Sequence, residues 1–272
     1  RKGLAIMAVS GVDLALWDLR GKRAGKPVAE LLLEKSSEPT SRDVRRPIPM
    51  YLTSDEPLAP ALRRGYRAFK LPLSVMAPEG DAGKIAELVA TARGEIGEES
   101  RLMVDAFMGW NVEQTQRVAE AIQPYDVDWI EEPLLPDDME GYAALSASSP
   151  IPIAGGEHEY TAAGFDELIA RRLHHVLQPD VCWCGGMTEL VKIYRAAREA
   201  GLRVCPHRGS EPWSLHAIAA LDPDPLAESG RPWMTWIQPA SGKQPTPQPG
   251  FARLSAAPGF GIQVDETEIS PA

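Results

Sequence analysis

Three short segments decide the fold that this sequence predicts: Leu102-Met-Val-Asp105, Val127-Asp-Trp-Ile-Glu131 and Ile151-Pro-Ile-Ala-Gly-Gly-Glu157. Each is a mostly apolar run, typical of a buried strand, that ends in an acid. The acids are regularly spaced, because 26 residues separate the first from the second and the second from the third. Stretches with helical periodicity follow them, such as Glu113–Ile122. Alternating buried strands and helices predict βαβ units with a parallel sheet.

The regular spacing continues beyond Glu157. Asp180 ends the run His174-His-Val-Leu-Gln-Pro-Asp180, 23 residues further on, and His207 ends Leu202-Arg-Val-Cys-Pro-His207 after another 27 residues. Polar residues at the ends of five successive strands are difficult to place in an open sheet. In a barrel they converge on one face, where enzymes of this architecture carry their chemistry. The sequence therefore predicts an α/β barrel of the TIM type.

Three of these strand-end residues are candidate metal ligands. Asp105, Glu131 and Glu157 would repel one another strongly at one point unless a cation lay between them. Oxygen ligands suit a hard divalent ion, so Mg²⁺ is the expected cofactor and Mn²⁺ an alternative. Each acid taken alone could instead cap the helix that follows it. The shared spacing of all three favours the metal site.

The candidate catalytic residues are bases and acids at the same strand ends. His207 and Asp180 suggest a dyad, in which the carboxylate orients the imidazole and makes it more basic. Lys70 follows Phe69 in the second predicted strand, and its side chain points either into the barrel mouth or outward. His158 directly follows Glu157 and is a candidate second acid or substrate hydrogen-bond donor.

The other histidines are predicted to be structural. His174 and His175 begin the sixth predicted strand, at the opposite end of the barrel from the site. His216 lies in a predicted helix and has no partner that the sequence identifies.

In chain order, the sequence predicts a helical lead-in and linker over residues 1–45, the barrel over 46–230 and a tail packing on the barrel over 231–272. The linker is the polar stretch 34–46. The lead-in contains an amphipathic helix, Ala5–Leu19, whose apolar side is expected to consist of Val12, Leu14, Ala15, Leu16 and Leu19.

Composition and charge exclude several kinds of partner. The 272 residues carry a formal net charge of −10 with a pI near 5.1, and no basic patch offsets it, so we expect no nucleic-acid partner. No apolar run approaches the roughly 18 residues of a membrane span, and no signal-peptide pattern is present. We therefore expect a cytoplasmic protein with no membrane partner, acting on a small molecule and forming homo-oligomers.

Six motifs run along nearly the whole chain: Ala8-Val-Ser-Gly-Val-Asp-Leu-Ala-Leu-Trp-Asp18, Val104-Asp105, Trp129-Ile-Glu-Glu-Pro133, Gly156-Glu157, Gln178-Pro-Asp180 and Pro206-His207. In this order and spacing, they resemble the enolase superfamily, in particular its mandelate racemase-like branch. The resemblance implies a modified (β/α)7β barrel and a Lys or His base that works with Mg²⁺ to form an enediolate. It also implies an N-terminal capping domain, to which we expect no residue of this chain to correspond.

The resemblance assigns roles to individual residues. It makes the three strand-end acids the Mg²⁺ ligands, with Glu132 a neighbour rather than a ligand. Asp180 and His207 become the catalytic dyad, and Glu228 matches the acid on the last strand that hydrogen-bonds the carboxylate of the enolate.

Within the branch, the sequence is most similar to the L-rhamnonate dehydratase group. Lys70-Leu-Pro72 carries one lysine where many relatives carry two, and racemases of this branch use bases on both faces of the substrate carbon. The resemblance thus implies a Mg²⁺-dependent hydro-lyase acting on an acid sugar. Two alternatives remain, namely an epimerase, racemase or cycloisomerase using the same site, and a catalytically silent barrel without its cap that serves as a binding module.

Overall fold

The computed structural model of the protein describes residues 2–34, 43–229, 237–239 and 249–264. Most of the predicted linker lies outside these ranges. Eight short strands run parallel in the described part of the chain: β1 (Ile48–Thr53), β2 (Ala68–Pro72), β3 (Arg101–Asp105), β4 (Val127–Glu131), β5 (Ile153–Gly155), β6 (Val176–Leu177), β7 (Arg203–Val204) and β8 (Ala227–Glu228). These strands confirm the predicted α/β barrel.

Helices surround the strands. They are α1 (Leu4–Ala24), α2 (Val28–Glu34), α3 (Ala59–Arg64), α4 (Leu73–Met76), α5 (Ala82–Ile96), α6 (Val112–Ile122), α7 (Met139–Ser148), α8 (Thr161–Ala170), α9 (Met187–Glu199) and α10 (Pro212–Leu221). Side-chain caps fix where several of them begin. Asp81 accepts a hydrogen bond from the amide of Lys84, and Asn111 accepts one from the amide of Gln114. None of the described helices has the length and apolar character that crossing a membrane requires.

Each strand from β1 to β6 pairs with the next one in sequence, and β8 returns to pair with β1. Among the described residues, no strand pairing joins β7 to β8. Hydrogen bonds from Cys205 Sγ to the carbonyl of Leu226 (3.5 Å) and from the Ser210 amide to the carbonyl of Glu228 (2.9 Å) cross this place instead. We call it the seam of the barrel.

The barrel interior is filled by two layers of side chains. The apolar layer is a buried cluster of Tyr51, Ala68, Met103, Trp129, Ala154, Val176, Cys205 and Leu226. The polar layer lies two residues further along seven of the strands and consists of Thr53, Lys70, Asp105, Glu131, Gln178, His207 and Glu228. Because side chains of a strand alternate between its faces, both layers point inward and the intervening residues point toward the helices.

The strand β5 departs from this alternation. Its apolar-layer residue is Ala154, but the acid that reaches the site is Glu157, three residues later. Gly156 makes the change of direction possible, because its φ of 115° is accessible to glycine and strained for other residues. A Cβ at this position would also approach Phe165 to 3.0 Å.

The helix α1 is longer than predicted, and its buried side is different. Ser10, Leu14, Trp17 and Gly21 are buried, so the predicted apolar side is right for Leu14 and wrong for its other four residues, which are exposed: Val12, Ala15, Leu16 and Leu19. The reason is that α1 carries apolar residues around most of its circumference. Hydrogen bonds to the α9 region decide which side packs, including Ser10 Oγ with the Gly185 amide (2.9 Å) and Trp17 Nε1 with Thr188 (2.9 Å).

The described part of the C-terminal region contacts the barrel. There, β10 (Phe251–Ala252) pairs with the first residues of β1, while β9 (Ile237–Pro239) pairs with β11 (Ile262–Val264). The ring of buried Phe260 lies 5.3 Å from that of His216. The predicted boundaries at residues 45 and 230 stay predictions.

Candidate active site

Lys70 stands at the centre of the polar layer. Its side chain points into the barrel, and its ammonium forms ion pairs with Glu131, with Asp105 at 3.3 Å and with Glu228 at 3.0 Å. Burial alone would lower the pKa of Lys70, but the negative charges of Glu131 and Glu228 raise it well above its usual value. Lys70 is therefore a buried, charged ammonium among carboxylates, which settles the orientation that the sequence left open.

Glu131 is completely enclosed, and its two oxygens have different partners. Oε1 faces Lys70, while Oε2 accepts hydrogen bonds from Gln178 Nε2 at 2.7 Å and Trp129 Nε1 at 3.2 Å. Burial raises the pKa of this carboxyl to about 7, although the charge of Lys70 opposes the shift. Asp105 is the β3 residue in register with Glu131, which places the two predicted ligands on adjacent strand ends.

The three predicted metal ligands fit a divalent cation. Burial also raises the pKa of Glu157, to about 8, with the charge of His207 opposing the shift. Two carboxylates that are costly to ionise because they are buried are stabilised by a nearby positive ion. Together with Asp105 they offer oxygen atoms, which suits Mg²⁺. Among the described residues, the group whose ligand atoms all lie within 4.8 Å of one another is Glu132, Glu157 and His158, which contains only one of the three predicted ligands.

His207 and Asp180 form the predicted dyad. Nδ1 of His207 lies 2.8 Å from Asp180 Oδ2, and Nε2 lies 3.6 Å from Glu157 Oε2. Asp180 is buried and its other oxygen accepts a hydrogen bond from the Cys182 amide at 2.7 Å. Burial would lower the pKa of His207, but the hydrogen bond to Asp180 and the charge of Glu157 raise it to about 9. Since Nδ1 donates to Asp180, Nε2 is the nitrogen available to a substrate.

A second imidazole–carboxylate pair lies on the other side of Glu157. His158 Nδ1 is 3.0 Å and 2.9 Å from the two oxygens of Glu132, and this hydrogen bond raises the pKa of His158. Trp183 lies between the two histidines, with its ring centroid 5.6 Å from those of both His158 and His207. The site therefore contains two oriented imidazoles that share one aromatic neighbour.

Glu228 connects the seam to the rest of the polar layer. Its Oε1 accepts a hydrogen bond from Thr53 Oγ1 at 3.2 Å, and its Oε2 accepts one from the Arg208 amide at 2.8 Å. Burial would raise the pKa of Glu228, but the charges of Lys70 and His207 hold it at about 2. Glu228 is consequently an anion in the neutral range.

All eight predicted site residues lie at this end of the barrel. Six of them line a cavity of about 260 Å³, whose walls are Thr53, Lys70, Asp105, Phe107, Glu131, Glu157, His207, Arg208, Glu228 and Ser229. The other two, Asp180 and His158, are hydrogen-bonded behind or beside it.

Four features of the site were not predicted from the sequence: the contacts made by Gln178, Trp183 and Phe107, and the role of Glu132 as the partner of His158. The two-residue offset from Val176 would have placed Gln178, whereas the other contacts depend on loop conformations.

The predicted structural histidines lie away from the cavity. His174 is buried with its ring centroid 4.5 Å from that of Tyr142, and His175 Nδ1 accepts the amide of Ile153 at 3.0 Å. His216 does have a partner, because its Nδ1 accepts a hydrogen bond from the Ala29 amide at 3.0 Å.

Family models match two parts of the chain. Residues 56–268 match the family described as enolase C-terminal domain-like, and residues 2–32 match the N-terminal domain of the mandelate racemase/muconate lactonizing enzyme family. The expectation that no residue corresponds to a capping domain was therefore too strong, since α1 and most of α2 fall within the second match.

Two curated proteins are similar to this chain over almost its whole length. L-rhamnonate dehydratase of Saccharopolyspora erythraea is 37% identical, in an alignment covering 99% of this chain and 69% of that protein. The first two curated relatives are each matched over about two thirds of their length, 66% and 69%.

Solved structures of similar enzymes superpose on almost the whole chain. Rhamnonate dehydratase from Gibberella zeae complexed with Mg superposes with a TM-score of 0.82 at 32% identity, covering 98% of this chain and 66% of the other. The 3,6-anhydro-D-galactonate cycloisomerase from Zobellia galactanivorans superposes with a TM-score of 0.83 at 29% identity, covering 98% and 76%.

Proposed function

Because the chain belongs to the enolase superfamily, we propose that it is a Mg²⁺-dependent acid-sugar dehydratase whose substrate is L-rhamnonate or a close relative. The observation that carries the proposal is the position of His207, oriented by Asp180 and lining the same cavity as Lys70 and the three predicted metal ligands. The similarity to L-rhamnonate dehydratases supports the substrate class.

Binding of the substrate carboxylate is assigned to Lys70 and the metal site. Asp105, Glu131 and Glu157 would hold Mg²⁺, which as a Lewis acid withdraws electron density from the carboxylate and acidifies the neighbouring C–H bond. Lys70 supplies a second positive charge at the same end of the cavity. Lys70 would share with the bound cation the stabilisation of the negative charge that develops in the transition state.

Proton removal is assigned to His207. In the neutral form of this imidazole, Nε2 accepts the proton from C2 of the acid sugar while Nδ1 keeps its hydrogen bond to Asp180, so the carboxylate stabilises the imidazolium that forms. The electron pair of the broken C2–H bond forms the enediolate.

Elimination then breaks the C3–O bond. The hydroxyl leaves as water after taking a proton from His207 or from His158, and a C2–C3 double bond forms. The resulting enol takes a proton at C3 and becomes a 2-keto-3-deoxy acid, so the net change is loss of one water. One strong base suffices for the same-face elimination, whereas racemisation needs a base on each face.

A cycloisomerase is the second candidate, because the Zobellia galactanivorans enzyme superposes as well as the dehydratase does. Loss of water distinguishes the two reactions, since cycloisomerisation conserves the mass of the substrate. We further propose that residues 46–230 form the domain that carries the site, with residues 1–45 leading into it and residues 231–272 packing on it.

The test is incubation with Mg²⁺ and a panel of acid sugars that includes L-rhamnonate, with the 2-keto-3-deoxy product detected by semicarbazide. We expect product that is lost with EDTA and falls by about 10²–10⁴-fold in His207→Asn. His175→Asn is the matched control, because His175 directly precedes β6, at the end of that strand away from the cavity, and its Nδ1 accepts a hydrogen bond from the Ile153 amide. Folded protein that binds Mg²⁺ and yields no product from any acid sugar would contradict the proposal.

A further inference from the structure

Phe107 differs from every other residue lining the cavity. The other nine are polar or charged: Thr53, Lys70, Asp105, Glu131, Glu157, His207, Arg208, Glu228 and Ser229. The Phe107 side chain is 55% exposed and belongs to neither hydrophobic cluster of the described chain. Packing of the fold therefore does not explain an aromatic ring at this position.

The backbone of Phe107 is also strained. Its φ is 45°, and that of Met108 is 61°, so two successive residues with side chains occupy the left-handed region. Glycine or asparagine adopts this conformation at lower cost. Strain of this kind is concentrated at functional sites, where the surrounding structure enforces it.

Hydrogen bonds hold the strained loop in one conformation. The Phe107 amide donates to Asp105 Oδ1 at 2.9 Å, and the Met108 amide donates to the carbonyl of Glu132 at 2.6 Å. The Trp110 amide donates to the carbonyl of Pro133 at 2.9 Å. These bonds involve backbone amides, so any residue would make them. What phenylalanine adds is a fixed apolar surface facing the cavity.

The position of the Phe107 ring in the cavity determines which end of a bound acid sugar it meets. Lys70 and Glu131 are each 1% exposed and lie at the closed end of the cavity, where the substrate carboxylate is proposed to bind. Phe107 is exposed and lies toward the opening. An acid sugar held by its carboxylate therefore directs its remote carbons toward the ring.

We propose that Phe107 is a specificity-determining residue that packs against an apolar terminal carbon of the substrate, and that the preferred substrates are deoxy sugar acids ending in a methyl group. This inference rests on the proposed function. A methyl group loses contact with water when it meets the ring, which is favourable. A terminal hydroxyl in the same place loses hydrogen bonds to water without gaining a partner.

The test compares L-rhamnonate with L-mannonate, which differ only in the hydroxyl at C6. We expect kcat/KM to favour L-rhamnonate by about 10–100-fold, the discrimination that one group in an apolar pocket provides. In Phe107→Ala the ratio should fall close to one, with the loss expressed mainly in the KM for L-rhamnonate, and Phe107→Leu should keep most of the preference. Phe251→Ala is the matched control, because Phe251 is also exposed but pairs with the start of β1.

Thermal unfolding provides an independent readout. Phe107→Gly should raise the Tm by about 2–4 °C, because glycine relieves the left-handed strain, while it removes the preference for the methyl substrate. A stability gain together with lost selectivity is not expected of a residue kept for packing.

Three outcomes would overturn the inference. An unchanged substrate ratio in folded Phe107→Ala, or wild-type preference for L-mannonate or dicarboxylic sugars, would reject the role of Phe107 and leave the dehydratase proposal standing. Absence of turnover with every acid sugar would reject both.

Discussion

The apolar and polar layers of the barrel interior lie two residues apart on the same strands, yet they have opposite properties. Met103 and Trp129 in the apolar layer are fully buried hydrophobic side chains, whereas Asp105 and Glu131 in the polar layer are carboxylates around Lys70. The same backbone presents both, because every second residue of a strand faces inward. On a strand of this kind, the residue that packs in the core and the residue that serves the site are therefore two positions apart.

Because of this difference, we expect the two layers to respond differently to substitution. Loss of an apolar-layer side chain leaves a cavity and lowers stability. Loss of a polar-layer side chain leaves a charge without its partner and changes binding and chemistry. The predictions that follow test this separation.

Lys70→Met should have the largest effect. With EDTA present, we expect the free energy of unfolding to fall by about 3–5 kcal/mol, because buried carboxylates lose the positive charge that compensates them. Added Mg²⁺ should restore part of this stability, since a cation replaces the lost charge. Urea unfolding with and without Mg²⁺ measures both effects. Lys84→Met is the control, because Lys84 is exposed and should change stability by less than about 0.5 kcal/mol.

Met103→Ala should destabilise the protein by about 2–5 kcal/mol, the usual cost of a cavity in a core. Unlike Lys70→Met, it should leave the Mg²⁺ affinity of the folded protein unchanged in isothermal titration calorimetry. A weakened Mg²⁺ affinity in folded Met103→Ala would contradict the separation of the two layers.

Gln178→Met should weaken Mg²⁺ binding by about 10–100-fold, because Gln178 donates to the oxygen of Glu131 that faces away from Lys70 and so fixes this carboxylate. Calorimetric titration with Mg²⁺ measures the change. Gln116→Met is a matched control, since Gln116 hydrogen-bonds Ser148 on the surface. Equal affinities for the two folded variants would show that Gln178 does not position the ligand.

His174 should give the smallest effect, and it belongs to neither layer, because its ring packs against Tyr142 of α7. Burial, reinforced by the charge of His175, lowers the pKa of His174 to about 3. The unfolded chain binds this proton below pH about 6.5, so the stability is present above that pH and is lost as the pH falls toward 3. His174→Gln should reduce the slope of stability against pH by up to about 1.4 kcal/mol per pH unit in this window. An unchanged slope in chemical denaturation would contradict a buried neutral His174.

The sequence predicted the barrel and its strand ends because both follow from local patterns. Asp105, Glu131 and His207 each end an apolar run, and the repeat spacing places such ends on one face. The buried side of α1 was not predictable in this way, since Leu14 and Leu16 are equally apolar and only contacts with α9 choose between them.

The finer contacts of the site depend on long-range geometry. The inward orientation of Lys70 follows from the alternation of β2 once its partners are known, and these come from three other strands. The contact between Trp183 and both histidines depends on loop conformations that no sequence period specifies.

The pairing of β8 with β1, which joins the two ends of the strand series, also has a consequence for the order of folding. Thr53 and Glu228, which are hydrogen-bonded there, are 175 residues apart in the chain, and the strands between them each pair with a close neighbour in sequence. Contacts between distant residues carry the largest loop-closure cost, so we expect the pairing of β8 with β1 to form last and to open first. The last event of folding would then be the one that brings Glu228 to Lys70, and the protein would acquire its chemistry only when its barrel closes.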